Sequence, residues 1–278
     1  MPEPHASRGR FLPTGEWAPV PPAALTPVAD MDRVDGPPWT LPFGGRDWVV
    51  VAAYVFTMIL PVPLIVVVAA LSAAGHPLDF KDPVTQAAAQ TSIYVIVTLI
   101  LLVAVRKDVA RAARTFTDHP GLKWGLVPVF FFGNLIVLTV ASAIVTALTG
   151  GVAESANQTG LTEMAKAQPF ALMAISTVLC APLVEEYIFR NLLIGKLSRR
   201  VNQWVCLGIS SVAFTLLHAL AGWPENPLTL VPYLVMGLTF GTIYILSGKS
   251  FVYSTIIHAL HNLMALSLIY VLPSNLPT

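Results

Sequence analysis

The sequence predicts an all-α integral membrane protein, a polytopic bundle of about seven transmembrane helices. Of its 278 residues, 55% are hydrophobic and only 11% are charged, whereas soluble domains contain roughly a quarter charged residues. Seven apolar stretches each approach the roughly 20 residues that a bilayer-spanning helix needs. The predicted spans cover approximately residues 48–74, 86–105, 124–148, 169–197, 201–221, 228–246 and 251–272.

Some of these stretches contain residues that modify a plain helix. The first contains Pro61 and Pro63, which remove backbone donors and predict a kink. The third carries Asn134 near its middle, where an interhelical hydrogen bond is the expected role. Residues 155–166, between the third and fourth stretches, are too polar to cross a bilayer and predict a short interfacial helix.

The N-terminal residues 1–46 differ in composition from the rest of the chain. Ten of the 23 prolines fall in this region, which has no helical or alternating apolar period. We expect a disordered cytoplasmic tail here, followed by a transmembrane domain over residues 47–278. No apolar core of about 7–15 residues follows a basic start, so a signal peptide is not expected.

Loop charges predict the orientation of the bundle. With the N-terminus in the cytoplasm and seven alternating spans, 13 of the 16 lysines and arginines lie on the cytoplasmic side. Only Lys81 and Lys166 lie on the other side, and Arg190 lies within a span. This asymmetry follows the positive-inside rule, and it places the C-terminus on the side opposite the N-terminus.

Charge and cysteine content argue against several ligand classes. The net charge is +1, with no basic run and no Gly-rich phosphate loop, so a nucleic-acid partner is not expected. Cys180 and Cys206 both lie in apolar stretches. We expect them to be small buried hydrophobic residues and not disulfide partners or metal ligands. The oligomeric state is left open by the sequence.

Ionisable side chains are concentrated in three of the predicted spans. Such residues are costly inside a bilayer, so by default they mark a functional site. The set comprises Glu185, Glu186 and Arg190 in the fourth span, His218 in the fifth, and His258 and His261 with Asn262 in the seventh.

The spacing of these residues predicts which of them share a helix face. Glu186 and Arg190 are four residues apart, which suits an internal ion pair. Glu185 lies about 100° around the helix from Glu186 and can point elsewhere. His258 lies beside Asn262 by the same rule. His261 is expected to be structural.

One carboxylate, two imidazoles and a carboxamide on three helices can form a hydrolytic site. Peptide hydrolysis needs a base that takes a proton from water, and donors that stabilise the oxyanion. Glu185 and His218 suit the first role, and His258 and Asn262 suit the second. Glu185, His218 and His258 are also a candidate ligand set for Zn²⁺ with an open position for water. The residues alone leave both mechanisms open.

Three motifs resemble the signature of the CAAX prenyl protease type II family. They are Glu185-Glu186-x-x-x-Arg190, Phe214-x-x-x-His218 and His258-x-x-x-Asn262, in the expected order. The family consists of intramembrane endopeptidases whose bacterial members include bacteriocin-processing and self-immunity proteins. The resemblance implies a protease core over about residues 167–272. It also implies a bacterial plasma membrane location and a peptide or lipidated protein as the substrate.

The resemblance assigns roles to single residues. The implied catalytic residues are Glu185, His218, His258 and Asn262, and the implied supporting residues are Glu186, Arg190 and Phe214. The first glutamate would activate water together with the first histidine, while the second histidine and the asparagine would form the oxyanion site. The family is often classed as metalloprotease, although a metal-free glutamate mechanism is also argued for it. Zinc is therefore an open expectation.

Three other functions fit part of the pattern. Glutamate, histidine and arginine inside spans also mark the proton paths of transporters, but the first three spans contain no matching polar set. Axial ligation of haem by His218 and His258 would make an electron carrier, but it leaves both glutamates unexplained. A non-proteolytic scaffold or immunity protein of the same fold is the third alternative.

Overall fold

The computed structural model of the chain describes residues 9–11, 17–19, 41–117, 119–151, 155–220 and 222–272. The chain divides into two units, Met1–Gly36 and Pro37–Thr278. In the first unit, strands β1 (Gly9–Phe11) and β2 (Trp17–Pro19) form an antiparallel pair. Most of the predicted tail lies outside the described residues, so its disorder stays a prediction.

Helices make up the second unit. The α-helices are α1 (Gly45–Tyr54), α2 (Val62–Ala73), α3 (Pro83–Ala104), α4 (Arg106–Ala113), α5 (Pro120–Thr149), α6 (Ala156–Ala167), α7 (Phe170–Ala174), α8 (Ala181–Glu185), α9 (Gln203–His218), α10 (Val231–Leu246) and α11 (Phe251–Val271). Between them lie π-helices at Val55–Ile59, Ile175–Cys180 and Glu186–Lys196, and 3₁₀ turns at Arg114–Phe116, Leu197–Arg199 and Pro227–Leu230. Every described element from Gly45 onward is helical, which confirms the predicted fold class.

Several of these helices can cross a membrane. Five segments are long and apolar enough, or up to six if the bent α1–α2 segment counts as one span. The five are Pro83–Ala104, Pro120–Thr149, Phe170–Arg199, Pro227–Leu246 and Phe251–Val271. Helix α9 has 16 residues, or about 24 Å, less than the roughly 30 Å of a bilayer core. The predicted count of about seven is therefore not confirmed, and the predicted orientation stays a prediction.

Two prolines bend the first span, as the sequence predicts. Helix α1 continues as a π-helix, and the axis then turns by 48° before α2. Pro61 and Pro63 have no N–H, so the carbonyl groups four residues earlier have no α-helical donor. The Leu60 N–H donates to the Val55 carbonyl at 2.9 Å, five residues back.

Polar caps fix where three helices begin. The side chains of Asp82, Asn202 and Ser250 accept backbone N–H groups at the starts of α3, α9 and α11, at 3.2, 2.9 and 3.3 Å. These caps satisfy donors that a helix start leaves unpaired. With these starts, His218 is the last residue of α9 and His258 is the eighth residue of α11.

The fourth span, Phe170–Arg199, is the centre of the bundle. Its most apolar window is 67% buried, compared with 17–39% in the other four spanning segments. The span alternates between α-helical and π-helical geometry, and an 11-residue π-helix begins at Glu186. Such wide turns are rare and occur often at functional sites. Glu185 and Glu186 lie at this change of geometry.

A buried ion-pair network lies at the end of the fourth span. The Lys196 ammonium is 2.6 Å from Asp47 and 3.1 Å from Asp108. Arg46 Nε lies 3.2 Å from Oδ2 of Asp108, and the Tyr187 hydroxyl donates to Asp47. Lys196 is one of the 13 cations predicted on the cytoplasmic side, and its side chain is buried and joins α1, α4 and the fourth span.

Candidate functional site

A cavity of about 160 Å³ inside the bundle holds the residues that the motifs single out. Glu185 from α8, His218 from α9, and His258 and Asn262 from α11 all line it. The four predicted catalytic residues are therefore brought together from three separate parts of the sequence. The helix predicted over residues 155–166 is present as α6, and it lines part of the same cavity.

Glu185 is the last residue of α8 and is 5% exposed. The Tyr94 hydroxyl of α3 donates a hydrogen bond to its Oε1 at 3.0 Å. Its Oε2 lies 3.9 Å from Nε2 of His258, which is beyond hydrogen-bond distance. One carboxylate oxygen is thus held in place, while the other faces the imidazole of α11.

Glu186 and Arg190 form the ion pair that their spacing predicts. Arg190 Nη1 lies 3.3 Å from Glu186 Oε1, and both side chains are fully buried. The guanidinium also donates to the Gly237 carbonyl at 3.4 Å and lies 4.6 Å from the centre of the Phe214 ring. Glu186, Arg190 and Phe214 do not line the cavity but pack behind its wall.

Glu186 also contacts His258, which residue spacing did not predict. Its Oε1 lies 3.0 Å from Nδ1 of His258. A carboxylate can only accept a hydrogen bond, so Nδ1 carries the proton. The neutral ring then presents an unprotonated Nε2 towards Glu185. Phe240 stacks on the same ring with centroids 4.5 Å apart.

His218 is held by its own helix and by α10. Its Nδ1 lies 2.8 Å from the Phe214 carbonyl, which requires an N–H at Nδ1 and leaves Nε2 as an acceptor in the neutral ring. Tyr233 stacks on the imidazole with centroids 4.4 Å apart. The Tyr233 hydroxyl in turn lies 2.8 Å from Oγ of Ser155, the residue that caps α6.

Asn262 has one contact to the fourth span. Its Nδ2 donates to the Thr177 carbonyl at 2.8 Å. A carboxamide has a second N–H and an accepting oxygen, so the group retains hydrogen-bonding capacity for a ligand in the cavity. The contact fixes the position of Asn262 relative to the fourth span.

His261 and Asn134 form a link between helices. Asn134 Nδ2 lies 3.3 Å from Nδ1 of His261, and Thr239 donates to the Asn134 carbonyl oxygen at 2.8 Å. Asn134 thereby connects α5, α10 and α11, which confirms its predicted interhelical role. His261 also borders the cavity.

Metal binding by the same residues would require their donor atoms to converge on one point. Within the described part of the chain, no three His, Cys, Asp or Glu side chains converge closely enough to hold a metal ion. Nδ1 of His258 and Nδ1 of His218 contact protein acceptors, so only the Nε2 atoms of the two rings could ligate a metal. Because Glu185, His218 and His258 do not converge on one point, their arrangement does not fit a Zn²⁺ site as it stands.

Two tyrosines of the site were not predicted from the sequence. Tyr94 contacts Glu185, and Tyr233 stacks on His218. Both lie in apolar stretches outside the three motifs. A tyrosine in a span gives no signal by itself, because aromatic residues are common at membrane interfaces. Only the packing of α3 and α10 against the site reveals their roles.

Comparison with known proteins finds a family model that matches the part of the chain containing the site. Residues 167–264 match the family model described as "Type II CAAX prenyl endopeptidase Rce1-like". This range contains all three motifs. The first three predicted spans lie outside it. No solved structure gave a significant match to the chain.

Three curated relatives have related sequences. An uncharacterized protein of Mycoplasma capricolum is 30% identical, over 58% of this chain and 48% of its own length. The provisionally named membrane peptidase YdiL of Bacillus subtilis is 27% identical, over 71% of this chain and 78% of its own length. The membrane-embedded CAAX protease MroQ of Staphylococcus aureus is 30% identical, over 49% of this chain and 56% of its own length. The chain thus matches about half the length of the Mycoplasma capricolum and Staphylococcus aureus proteins. Residues 167–264 thus match the model of the family that the three motifs resemble.

Proposed function

We propose that this protein is a membrane-embedded endopeptidase that hydrolyses a peptide bond with a water molecule activated by Glu185 and His218. The observation that carries the proposal is the convergence of Glu185, His218, His258 and Asn262 on one cavity inside a helical bundle. The domain match and the peptidase names of two relatives support a protease function.

The contacts suggest how the proton transfers proceed. Water enters between Glu185 and His218, and the Glu185 carboxylate or Nε2 of His218 takes its proton as the oxygen attacks the peptide carbonyl. Tyr94 keeps the Glu185 carboxylate oriented. The proton then passes to the departing amine as the carbon–nitrogen bond breaks.

The developing oxyanion needs hydrogen-bond donors. The second N–H of the Asn262 carboxamide is one donor. His258 is the other, and this role requires a proton on Nε2 in addition to the Nδ1 proton that Glu186 accepts. Glu186 is then a positioning residue, because its carboxylate orients the imidazole and balances the charge of the doubly protonated ring.

We derive no step through a metal ion, since the ligand set does not converge in the described residues. Zinc remains an expectation from the family resemblance, to be tested by elemental analysis of the purified protein. The substrate class that we propose is a peptide or a lipidated protein presented at the membrane.

The proposal is tested with full-length wild-type protein purified in detergent. The substrates are a farnesylated CAAX peptide, the same peptide without the lipid, and a mixed peptide library, with products identified by mass spectrometry. Each reaction is repeated with a zinc chelator, and bound metal is counted. Cleavage supports the peptidase, and cleavage of the farnesylated form alone would identify a lipidated substrate. Intact substrates in all three tubes would contradict the proposal and favour a scaffold or transport role.

A further inference from the structure

A second cavity borders the catalytic one, next to the first span and α3. It has a volume of about 350 Å³, and it shares the lining residues Gln90, Tyr94 and Asn157 with the catalytic cavity. Thr57 and Pro61, at the bend of the first span, form part of its far wall. The four predicted catalytic residues line the catalytic cavity and not this one, so the proposed chemistry gives it no role.

The catalytic cavity alone is small for a peptide. Its volume of about 160 Å³ lies below the roughly 300–1,000 Å³ of typical ligand pockets. The two cavities together fall within that range. An extended peptide that reaches from the catalytic cavity into the second one therefore has room for residues beyond the scissile bond.

Gln90 lies at the boundary of the two cavities. The Tyr94 hydroxyl donates to Glu185, and Asn157 Nδ2 donates to the Tyr233 hydroxyl at 3.3 Å. The Gln90 carboxamide has no hydrogen-bond partner among the described residues. It offers N–H donors and an accepting oxygen, which match the two polar groups of a peptide unit. Gln90 can therefore pair with a substrate backbone without breaking a contact of the folded protein.

The spacing along α3 gives the distance from Gln90 to the reacting bond. Gln90 lies one helical turn before Tyr94, or about 6 Å of helical rise, and Tyr94 contacts the Glu185 carboxylate. An extended peptide advances about 3.3 Å per residue. The second cavity is therefore reached about two residues from the scissile bond, on one side of it.

The walls of the second cavity are neutral. They combine the apolar side chains of Met58, Leu64 and Ile93 with polar groups such as those of Thr57 and Gln86. No charged side chain of the described part of the chain lines this cavity. A charged substrate residue would be buried here without a counter-ion, which is costly, whereas an apolar residue would gain contact with the aliphatic walls.

We infer that the second cavity is a subsite for the peptide substrate, that it takes an apolar substrate residue, and that Gln90 pairs with the substrate backbone at its entrance. The inference rests on the proposed function and names the substrate chemistry of the same site. Each described lining residue of the subsite precedes residues 167–264, the range that matches the family model. This preference is therefore set by parts of the chain that the family model does not cover.

The test compares two adjacent alanines of α3. Ala89 lines the subsite, while Ala88 is exposed and lines neither of the two cavities. Full-length wild type, Ala89→Phe and Ala88→Phe are assayed on peptides with leucine, alanine or lysine two residues to either side of the cleaved bond. Wild type should cleave the leucine peptides fastest and the lysine peptides slowest, on one side of the bond only.

The phenylalanine variants locate the preference. Ala89→Phe should lower kcat/KM for the favoured leucine peptide by at least roughly tenfold, and for the alanine peptide much less, because the smaller residue still fits. Ala88→Phe should match wild type. Equal kinetics of Ala89→Phe and Ala88→Phe while wild type cleaves would overturn the subsite and leave the peptidase standing.

A third variant tests the backbone contact. Gln90→Leu keeps the approximate size of the side chain and removes its hydrogen-bonding groups. It should raise KM by roughly two- to tenfold for every peptide, with the leucine preference intact, because a backbone contact does not depend on the substrate side chain. A wild-type KM in Gln90→Leu would overturn the role of Gln90.

A binding measurement separates this inference from the proposed function. The probes are short fluorescent peptides with a non-cleavable ketomethylene bond at the centre, flanked by leucine, alanine or lysine. Tighter binding of the leucine probe, weakened by Ala89→Phe and not by Ala88→Phe, would support the subsite even if wild type cleaved no peptide. Equal affinity of wild type for the leucine and lysine probes, or no binding of any probe, would overturn it.

Discussion

Oε1 of Glu186 lies 3.0 Å from Nδ1 of His258, and this contact joins the fourth span to α11 behind the catalytic cavity. The same oxygen lies 3.3 Å from Nη1 of Arg190. A carboxylate that the sequence assigns to an ion pair therefore also orients an imidazole of the site. The two adjacent glutamates have different surroundings, because Glu185 lines the cavity and Glu186 does not.

Glu186→Gln is expected to lower kcat by roughly 10²-fold, because a small displacement of a catalytic group has an effect of that size. KM should change little, since Glu186 does not line the cavity. Steady-state kinetics on the folded fraction measures both constants. Glu163→Gln, at an exposed position of α6, is the control. A wild-type kcat in Glu186→Gln would show that the contact with His258 has no part in catalysis.

Arg190→Met is expected to destabilise the protein by about 3–5 kcal/mol, because it leaves the buried Glu186 carboxylate without its cation. Thermal unfolding in detergent detects the loss as a lower Tm. The double variant Glu186→Gln/Arg190→Met should recover part of the stability, since neither charge remains. Arg111→Met, at an exposed position, should melt like wild type. If the double variant were less stable than Arg190→Met, the ion-pair interpretation would be wrong.

Tyr94→Phe removes the hydroxyl that donates to Glu185 at 3.0 Å. Hydrogen bonds to charged groups contribute about 1.5–3 kcal/mol, so losing this one from the transition state should lower kcat by at least roughly tenfold. Tm should also fall, because the buried Glu185 carboxylate loses a donor in the folded state. Tyr54→Phe is the matched control, because the Tyr54 hydroxyl has no hydrogen-bond partner among the described residues. Equal activity of the two variants would remove Tyr94 from the set of positioning residues.

Asp82 makes the start of α3 sensitive to pH. Hydrogen bonds from the Thr85 side chain and the Val84 backbone lower the pKa of Asp82 in the folded protein. A lowered folded-state pKa means that the carboxylate stabilises the fold above its unfolded pKa, and that this contribution is lost as pH falls through the folded value. Asp82→Ala should therefore lower Tm near neutral pH, and the difference from wild type should shrink below about pH 4. A constant difference across this range would contradict the assignment.

Much of the fold followed from composition and proline placement. The apolar stretches, the kink at Pro61 and Pro63, and the link through Asn134 were all predictable, because each depends on local chemistry. The length of helix α9 was overestimated, since Val201 before it and Ala219 and Leu220 after it are apolar but lie outside the helix. The burial of Lys196 depends on Asp47 and Asp108 from distant helices, which no local pattern indicates.

The residues of the candidate site that belong to the three motifs were predictable from the sequence. Spacing pairs Glu186 with Arg190, and the motif order anticipated the convergence of Glu185, His218 and His258. The contact of Glu186 with His258 and that of Tyr94 with Glu185 join helices that are far apart in sequence. Their formation depends on how the helices pack and rotate, and residue spacing within one helix does not determine either.

The central claim, that Glu185 activates the attacking water, is tested most directly by Glu185→Gln. Wild type and Glu185→Gln are compared under single-turnover conditions on a peptide that wild type cleaves, with Glu163→Gln as the control and Tm measured for all three. We predict that wild type and Glu163→Gln form product at the same rate, while Glu185→Gln is folded and forms none. Cleavage by folded Glu185→Gln at the wild-type rate would contradict the account.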